Sequence, residues 1–146
     1  MQIKSLGHVV LKVRNLERSI AFYRDILGMK EVARYQRAMV FFTLGDNHHD
    51  LALMQIGANA PASDSGGIGL YHVAFKVGDS LDELRACKAH LEASDVTIMG
   101  MSDHGVSQSL YLTDPDGIEI ELYVDADPTI WRDDPGAVLT TKRLTL

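Results

Sequence analysis

The chain has 146 residues, 46% of them hydrophobic and 23% charged, which is the length and composition of one ordinary globular domain. Its 14 basic and 20 acidic side chains give a formal net charge of −6, a balance that argues against nucleic acid or an anionic membrane surface as a partner. The single cysteine, Cys87, excludes an intramolecular disulfide, and the alternating N-terminal pattern differs from a secretory signal, so we expect a cytoplasmic protein.

The first predicted strand carries a motif that returns later in the chain. GHVVLKV at residues 7–13 aligns with YHVAFKV at residues 71–77, so that His8 and His72 occupy equivalent positions 64 residues apart. Helical spacing follows in RNLERSIAFYRDILGM, which ends at Gly28, and then come three extended segments, EVARYQ, AMVFFTLG and HDLALMQI. These elements predict a βαβββ module over about residues 3–56.

The second copy repeats this order of elements. A helical segment, SLDELRACKAHLEAS, precedes the extended segments VTIMGM, SQSLYLTD and IEIELYV, which gives a module over about residues 70–124. Gly, Ser, Ala and Pro dominate residues 57–69, which we interpret as a linker. The tail, residues 125–146, has no clear periodicity. The sequence therefore predicts one α+β domain built from two modules.

Strand alternation places the two repeated histidines on the same face of their modules. In the first copy His8, Val10 and Lys12 share one face, while the more apolar row from Val9 to Val13 should meet the helix. A lone strand histidine is more often a hydrogen-bonded core residue than a ligand. Its recurrence at His72 favours the other interpretation, since pseudo-twofold packing would bring the two imidazoles together at a metal ion.

The last predicted strand supplies a carboxylate on the equivalent face. Glu119 lies near the turn and is interpreted as a solvated residue, whereas Glu121 lies deeper, where a carboxylate is costly to bury unless it is paired or binds a cation. The TDPDG turn, with Gly117 in the left-handed position, sets a hairpin register in which Tyr111 is opposite Glu121. His8, His72 and Glu121 thus form a two-histidine, one-carboxylate set suited to non-haem Fe(II).

These modules and this ligand set resemble the vicinal oxygen chelate superfamily, over about residues 3–124. That superfamily includes glyoxalase I, extradiol ring-cleavage dioxygenases, fosfomycin-resistance thiol transferases and bleomycin-binding proteins. The resemblance implies a cupped, barrel-like mixed sheet with the helices outside, and a bound divalent metal. We expect Fe(II), although the same donors also accept Mn(II), Zn(II) or Ni(II).

Two further elements resemble the extradiol dioxygenase branch. NHHDLAL places His49 where that branch has its active-site acid and base, and DHGVSQSLY with the later Glu121 places His104 and Tyr111. The loop from His104 to Tyr111 is shorter than in the two-domain catechol enzymes, and the linker after His49 is longer. We expect no counterpart of their extra non-catalytic domain. The chain therefore resembles the small, single-domain branch.

The resemblance and the chemistry together assign each residue a role. An imidazole with a pKa near neutrality can take a proton from a catechol and return it later, which we assign to His49. Tyr111 would hydrogen-bond a substrate oxygen, and His104 would orient a neighbour or contact substrate. His48 and His90 are interpreted as solvent-facing. Asp50 and Asp103 flank key histidines without a role that the sequence defines.

The expected function is Fe(II)-dependent extradiol cleavage of a small catecholic ring, with the diol and O₂ as partners and a homodimer as the assembly. One alternative is another metal-dependent branch, either a glyoxalase-like lyase or isomerase, or a thiol transferase. Glyoxalase I would want a fourth ligand, a carboxylate on the last strand of the first module, but alignment places Ala52 at the position equivalent to Glu121. A metal-free protein that sequesters a small molecule is the third possibility, and it would be expected to lose part of the ligand set.

Overall fold

The computed structural model describes residues 1–62 and 66–146, so part of the predicted linker, residues 57–69, lies outside the described residues. The chain divides into a first unit, Met1–Ser63, and a second unit, Asp64–Leu146. In the described part of the chain, every helix is too short or too polar to cross a membrane.

The first unit is a four-stranded sheet with one helical segment. Its elements in chain order are β1 (Val9–Val13), α1 (Leu16–Ile20), a π-helix (Ala21–Ile26), β2 (Lys30–Tyr35), β3 (Met39–Thr43) and β4 (Leu51–Gln55). The strand order is β1-β4-β3-β2, with β1 parallel to β4 and the other neighbours antiparallel. This is the predicted βαβββ module, although β1 begins at Val9, so that His8 directly precedes the strand instead of lying within it.

The helical segment of the first unit is not the regular helix that the sequence predicts. It begins at the Asn15 cap, whose side chain accepts a hydrogen bond from the Arg18 N–H, and it changes to π-helical spacing after Ile20. Gly28 follows with φ +76°, a backbone conformation that favours glycine. A hydrophobic period cannot show this change, since α- and π-helical turns both bury one apolar face.

The second unit repeats the topology and adds a tail. Its elements are β5 (His72–Gly78), α2 (Leu81–Ala93), β6 (Gly100–Asp103), β7 (Ser107–Thr113), β8 (Glu119–Asp125), α3 (Thr129–Asp133), a 3-10 helix (Pro135–Leu139) and β9 (Lys142–Arg143). The strand order is β5-β8-β7-β6-β9, with β5 parallel to β8. The tail, which had no periodicity in the sequence, therefore contributes helices and a fifth strand beside β6.

Helix α2 is fixed at its start by a capping box. The Ser80 Oγ accepts from the Glu83 N–H, and the Glu83 carboxylate accepts from the Ser80 hydroxyl and from the Asp79 N–H. Leu84 and Leu91 form its buried face, as the spacing predicts, but Leu81 is 38% exposed because it is the first residue of the helix.

The alternation of faces is confirmed in both units. Leu11 and Val13 are buried while Val10 is exposed, and in β8 the side chains of Ile120 and Leu122 are buried on the face opposite Glu121. The predicted strand at VTIMGM lies later than expected, at Gly100–Asp103, because β6 pairs with β7 only from Gly100 onward. Each sheet therefore presents one apolar face to its own helix and one face that carries the predicted functional side chains.

Candidate functional site

The β7–β8 hairpin sets the register of the site in the second unit. The Asp114 carboxylate accepts hydrogen bonds from the N–H groups of Asp116 and Ile118, both at 2.8 Å, and Gly117 takes φ +86°. This turn chemistry places Tyr111 opposite Glu121, which confirms the predicted register.

The Glu121 carboxylate is the buried acidic group of this face, with the residue only 9% exposed. Its Oε1 accepts a hydrogen bond of 2.6 Å from the Ser109 hydroxyl, and its Oε2 lies 3.0 Å from His72 Nε2. The parallel pairing of β5 with β8 brings His72 alongside this strand. One oxygen of the carboxylate is thereby fixed by a neutral donor and the other faces an imidazole.

The second nitrogen of His72 has no hydrogen-bond partner among the described residues, although it is buried. Glu119 Oε1 lies 3.6 Å from this nitrogen. An imidazole that binds a metal through one nitrogen commonly directs its other N–H to a carboxylate. In His72, Nε2 faces the Glu121 carboxylate, and Nδ1 lies on the Glu119 side but beyond hydrogen-bond distance of it. These donors therefore fit a divalent cation.

Within residues 1–62 and 66–146, no group of three or more His, Cys, Asp or Glu side chains has the arrangement of a metal site. In the second unit His72 and Glu121 lie together as a pair of possible ligands, and the position of a third ligand stays a prediction.

Tyr111 carries a hydroxyl on the same face. Its oxygen lies 2.8 Å from His104 Nε2, and His104 Nδ1 lies 3.2 Å from the carbonyl oxygen of Thr140 in the tail. Because a carbonyl only accepts, Nδ1 carries the proton and Nε2 accepts from the tyrosine O–H. Burial, and secondarily the Glu121 charge, raises the pKa of Tyr111 to about 12, so the phenol stays a donor at neutral pH.

The first unit gathers three imidazoles at the entrance of β4. The ring centroids of His8 and His49 are 4.3 Å apart, and Phe41 meets His49 edge-on at 5.3 Å. Burial lowers the pKa of His49, and positive charge on His8 or His48 lowers it further. A histidine with a lowered pKa is neutral at pH 7, which is the form that accepts a proton.

His48 is exposed, as predicted, but it is not merely a solvated turn residue. Its Nδ1 lies 2.6 Å from His49 Nδ1, a distance at which one nitrogen carries the shared proton. His90 is exposed on α2, as expected.

The two flanking aspartates stabilise loops rather than histidines. Asp50 accepts hydrogen bonds from the Leu44 N–H at 2.7 Å and from the side chains of Asn47 and Thr43. Asp103 accepts from the Gly105 N–H at 2.8 Å and closes the turn between β6 and β7. Asp50, at the β4 end of the loop that carries His49, thus holds that loop through hydrogen bonds to residues at its β3 end.

Sequence reasoning missed three groups around the site: Ser109, the Thr140 carbonyl and the position of Glu119 behind His72. Ser109 could have been found, since the predicted register places it on the same face as Tyr111, two residues along β7. The Thr140 contact depends on the path of a tail that has no sequence period.

Comparisons with known proteins agree with this architecture. The chain matches the family model of the Glyoxalase/Bleomycin resistance protein/Dioxygenase superfamily over residues 5–122. It is 33% identical over 130 residues to a catechol-2,3-dioxygenase of Bacillus subtilis (strain 168), a match that covers 88% of this chain and 44% of that protein. It is also 30% identical over 122 residues to a glutathione transferase FosA of Serratia marcescens, covering 84% and 82%.

A solved structure with the same fold is a glyoxalase/dioxygenase from Nostoc punctiforme, with a TM-score of 0.72, 20% identity and coverage of 85% of this chain and 92% of that one. The chain spans less than half of the Bacillus subtilis relative. Because the family model matches most of the chain, the protein belongs to the Glyoxalase/Bleomycin resistance protein/Dioxygenase superfamily.

Proposed function

We propose that the protein is a non-haem Fe(II)-dependent extradiol dioxygenase acting on a small catecholic ring. In this reaction the ring C–C bond beside the diol breaks, both atoms of O₂ enter the product, and the ring carbons are oxidised as O₂ is reduced. The observation that carries the proposal is a group of three side chains on one face of the second sheet: half-buried His72 lies 3.0 Å from the buried Glu121, and a protonated Tyr111 lies directly opposite Glu121. The similarity to a catechol-2,3-dioxygenase supports it.

The proposed metal ligands are His8, His72 and Glu121. When bound, Fe(II) supplies the coordination positions for the two diol oxygens and for O₂. His72 and Glu121 offer a nitrogen and an oxygen that already face each other at 3.0 Å, and Ser109 holds the carboxylate in that orientation. We further expect a cytoplasmic homodimer.

The remaining residues would handle protons and hydrogen bonds. His49, neutral because its pKa is lowered, would take the diol proton and later return it. Tyr111 would turn its single O–H from His104 Nε2 to a substrate oxygen, and the Thr140 carbonyl would keep His104 beside it. The lowered pKa of His49 and the raised pKa of Tyr111 favour at neutral pH the neutral imidazole and the protonated phenol that these two roles need.

A metal-dependent thiol transferase is the second candidate, because the chain matches FosA over most of the length of both proteins. A glyoxalase-like reaction is less well supported, since the register pairs Val10 with Ala52 where the second unit pairs Ala74 with Glu121. The first unit therefore offers an alanine at the place of a further carboxylate ligand.

The test is reconstitution under anaerobic conditions with Fe(II), followed by addition of a catechol panel and air-saturated buffer. We expect stoichiometric O₂ uptake and a yellow ring-opened product, whereas glutathione with an epoxide or with methylglyoxal should give no turnover. Iron bound at one ion per chain with no catechol consumed across the panel would overturn the dioxygenase proposal.

Two alanine variants separate the proposed roles. His49→Ala should keep its iron and lose about 10²-fold or more in kcat, because it removes proton transfer alone. His8→Ala should lose iron, measured by metal analysis after gel filtration. Equal iron loss in both variants would make His49 a ligand and overturn its assignment as acid and base.

A further inference from the structure

The tail is fixed to the second sheet at the place where His104 lies. Strand β9 pairs with β6, and the side chain of Leu144, which follows β9, is only 9% exposed. Gly105 follows His104 with φ +76°, and a Cβ atom added there would lie 3.4 Å from the Thr140 Cβ. The turn between β6 and β7 therefore packs directly against the tail, which supplies the backbone that faces the His104 ring.

This backbone determines which nitrogen of His104 carries the hydrogen. Nδ1 lies 3.2 Å from the Thr140 carbonyl oxygen, and Thr141 Oγ1 lies 3.4 Å from the same nitrogen. Because a carbonyl accepts and cannot donate, a neutral ring in this position has its hydrogen on Nδ1 and a lone pair on Nε2. The Tyr111 hydroxyl, 2.8 Å from Nε2, then donates to it.

A second acceptor for the same O–H lies across the hairpin. Tyr111 is directly opposite Glu121, so their Cβ atoms are about 4.5–5.5 Å apart, and burial, and after it the nearby Glu121 charge, raises the pKa of the phenol. Ser109 donates to Glu121 Oε1 at 2.6 Å, which leaves Oε2, beside His72, for a cation. Since a phenol has one hydrogen, it can donate to His104 or to Glu121 but not to both.

We propose that the tail keeps Glu121 available for a cation by holding His104 in the tautomer that draws the Tyr111 O–H away from that carboxylate. His104 and Thr140 are then positioning residues, and the phenol hydrogen stays at Nε2 until a substrate oxygen accepts it. The inference rests on the proposed assignment of Glu121 as a metal ligand and is independent of the reaction that the metal supports.

The tautomer can be measured in the parent protein without any metal. Labelling the histidines with ¹⁵N gives separate NMR signals for protonated and unprotonated ring nitrogens, and the His104 signals are identified by their loss in His104→Phe or His104→Gln. At pH 8, where an ordinary imidazole is neutral, Nδ1 of His104 should carry the hydrogen and Nε2 should carry none. A hydrogen on Nε2 would overturn the inference.

Calorimetric titration with Mn(II) measures the effect on Glu121. His104→Phe removes the acceptor, so the Tyr111 O–H should turn to Glu121 and weaken Mn(II) binding about 10-fold or more. Adding Tyr111→Phe should restore the affinity, because it removes the competing hydrogen. Tyr123→Phe in the same His104→Phe background, the same change two residues along β8 from Glu121, is the matched control and should restore nothing. An unaltered affinity in His104→Phe, or a loss that Tyr111→Phe fails to reverse, would contradict the proposal.

The role of the tail is tested at two of its leucines. Leu144→Asp places a charge at the buried contact beside β9, so it should free His104 to take the other tautomer and should weaken Mn(II) binding by a similar factor. Leu139→Asp, the same substitution at a leucine that is 85% exposed, should keep both the tautomer and the affinity. Circular dichroism identifies any variant that fails to fold, and the NMR spectrum of the parent protein then decides. A folded Leu144→Asp with parental tautomer and affinity would refute the role of the tail.

Glu121→Gln separates this inference from the proposed function. If this variant binds Mn(II) as tightly as the parent protein, the ligand assignment fails and the inference fails with it. If binding is lost in Glu121→Gln but unchanged in His104→Phe, the ligand assignment stands and the inference alone is overturned. The expected tautomer and affinities without turnover of any diol would overturn the dioxygenase proposal and support the role of the tail.

Discussion

At the scale of single residues, Glu119 lies where it can influence a proposed ligand, although its position near a turn led us to interpret it as a solvated residue. It lies beside His72 in the parallel ladder, with its Oε1 3.6 Å from the buried Nδ1 of that histidine. A bound cation at Nε2 would make the N–H of Nδ1 more acidic and strengthen its attraction to the carboxylate. Glu119 is therefore expected to orient His72 as a ligand.

Glu119→Gln should weaken Mn(II) or Fe(II) binding about 10- to 100-fold, because the amide keeps the shape of the side chain but removes the negative charge behind the imidazole. Anaerobic calorimetric titration of the metal measures this. Glu92→Gln, an exposed charge change on α2, is the control for net charge and should bind metal normally. Parent-like affinity in Glu119→Gln would exclude the orienting role.

Some contacts of the candidate site could be predicted from the sequence and others could not. The pairing of Tyr111 with Glu121 could be predicted because a turn of known length fixes the register of its strands. The hydrogen bond from Ser109 to Glu121 depends on a side-chain rotamer, and the contact of His104 with Thr140 joins residues 36 positions apart. Neither a side-chain rotamer nor the conformation of the C-terminal tail can be predicted from a periodic pattern in the sequence.

At the scale of elements, the connection from β3 to β4 shows how one carboxylate can organise a functional loop. Asp50 accepts from the Leu44 N–H, from Asn47 Nδ2 at 2.6 Å and from the Thr43 hydroxyl. These hydrogen bonds, that of Asn47 foremost, lower the pKa of Asp50 below its ordinary value of 3.8. The loop that presents His49 is thus tied to an ionised side chain.

Asp50→Asn should lower the free energy of unfolding by about 1–2 kcal/mol at pH 7, since it loses charge-assisted hydrogen bonds. The native-state pKa of Asp50 is depressed, so its stabilising effect is full above pH 3.8 and disappears as pH falls through the lower native value. Urea unfolding between pH 7 and pH 3 should show the two proteins converging in acid. Asp46→Asn, an exposed change in the same loop, should show no such convergence. A pH-independent difference would refute this assignment.

Strands and hairpins were the predictable elements because alternation and turn residues are local signals, as IEIELYV and TDPDG illustrate. The π-helix at Ala21–Ile26 and strand β9 were not predictable. In the π-helix the hydrogen-bond spacing changes while the pattern of apolar residues does not. Strand β9 has only two residues and is defined by its pairing with β6.

At the scale of the whole molecule, the two units share a strand topology but carry different functional side chains. Both units pair their first strand in parallel with their last, yet Val10 pairs with Ala52 where Ala74 pairs with Glu121. The first unit gathers three imidazoles at the entrance of β4, and the second carries two imidazoles, the Glu121 carboxylate and the Tyr111 phenol. A metal bound by the proposed ligands would also stabilise the fold, because it would bind the native state and not the unfolded chain.

Metal binding should therefore raise the thermal stability of the entire chain. At a free Mn(II) concentration of 100 times Kd the gain is about 2.7 kcal/mol, which for this size corresponds to a rise of roughly 5–10 °C in Tm. Differential scanning calorimetry with and without Mn(II) measures it. Glu121→Gln and His8→Ala should remove the shift, because each deletes a proposed ligand, whereas Glu92→Gln should retain it. A shift of parental size in Glu121→Gln would place the ion elsewhere and overturn the ligand assignment.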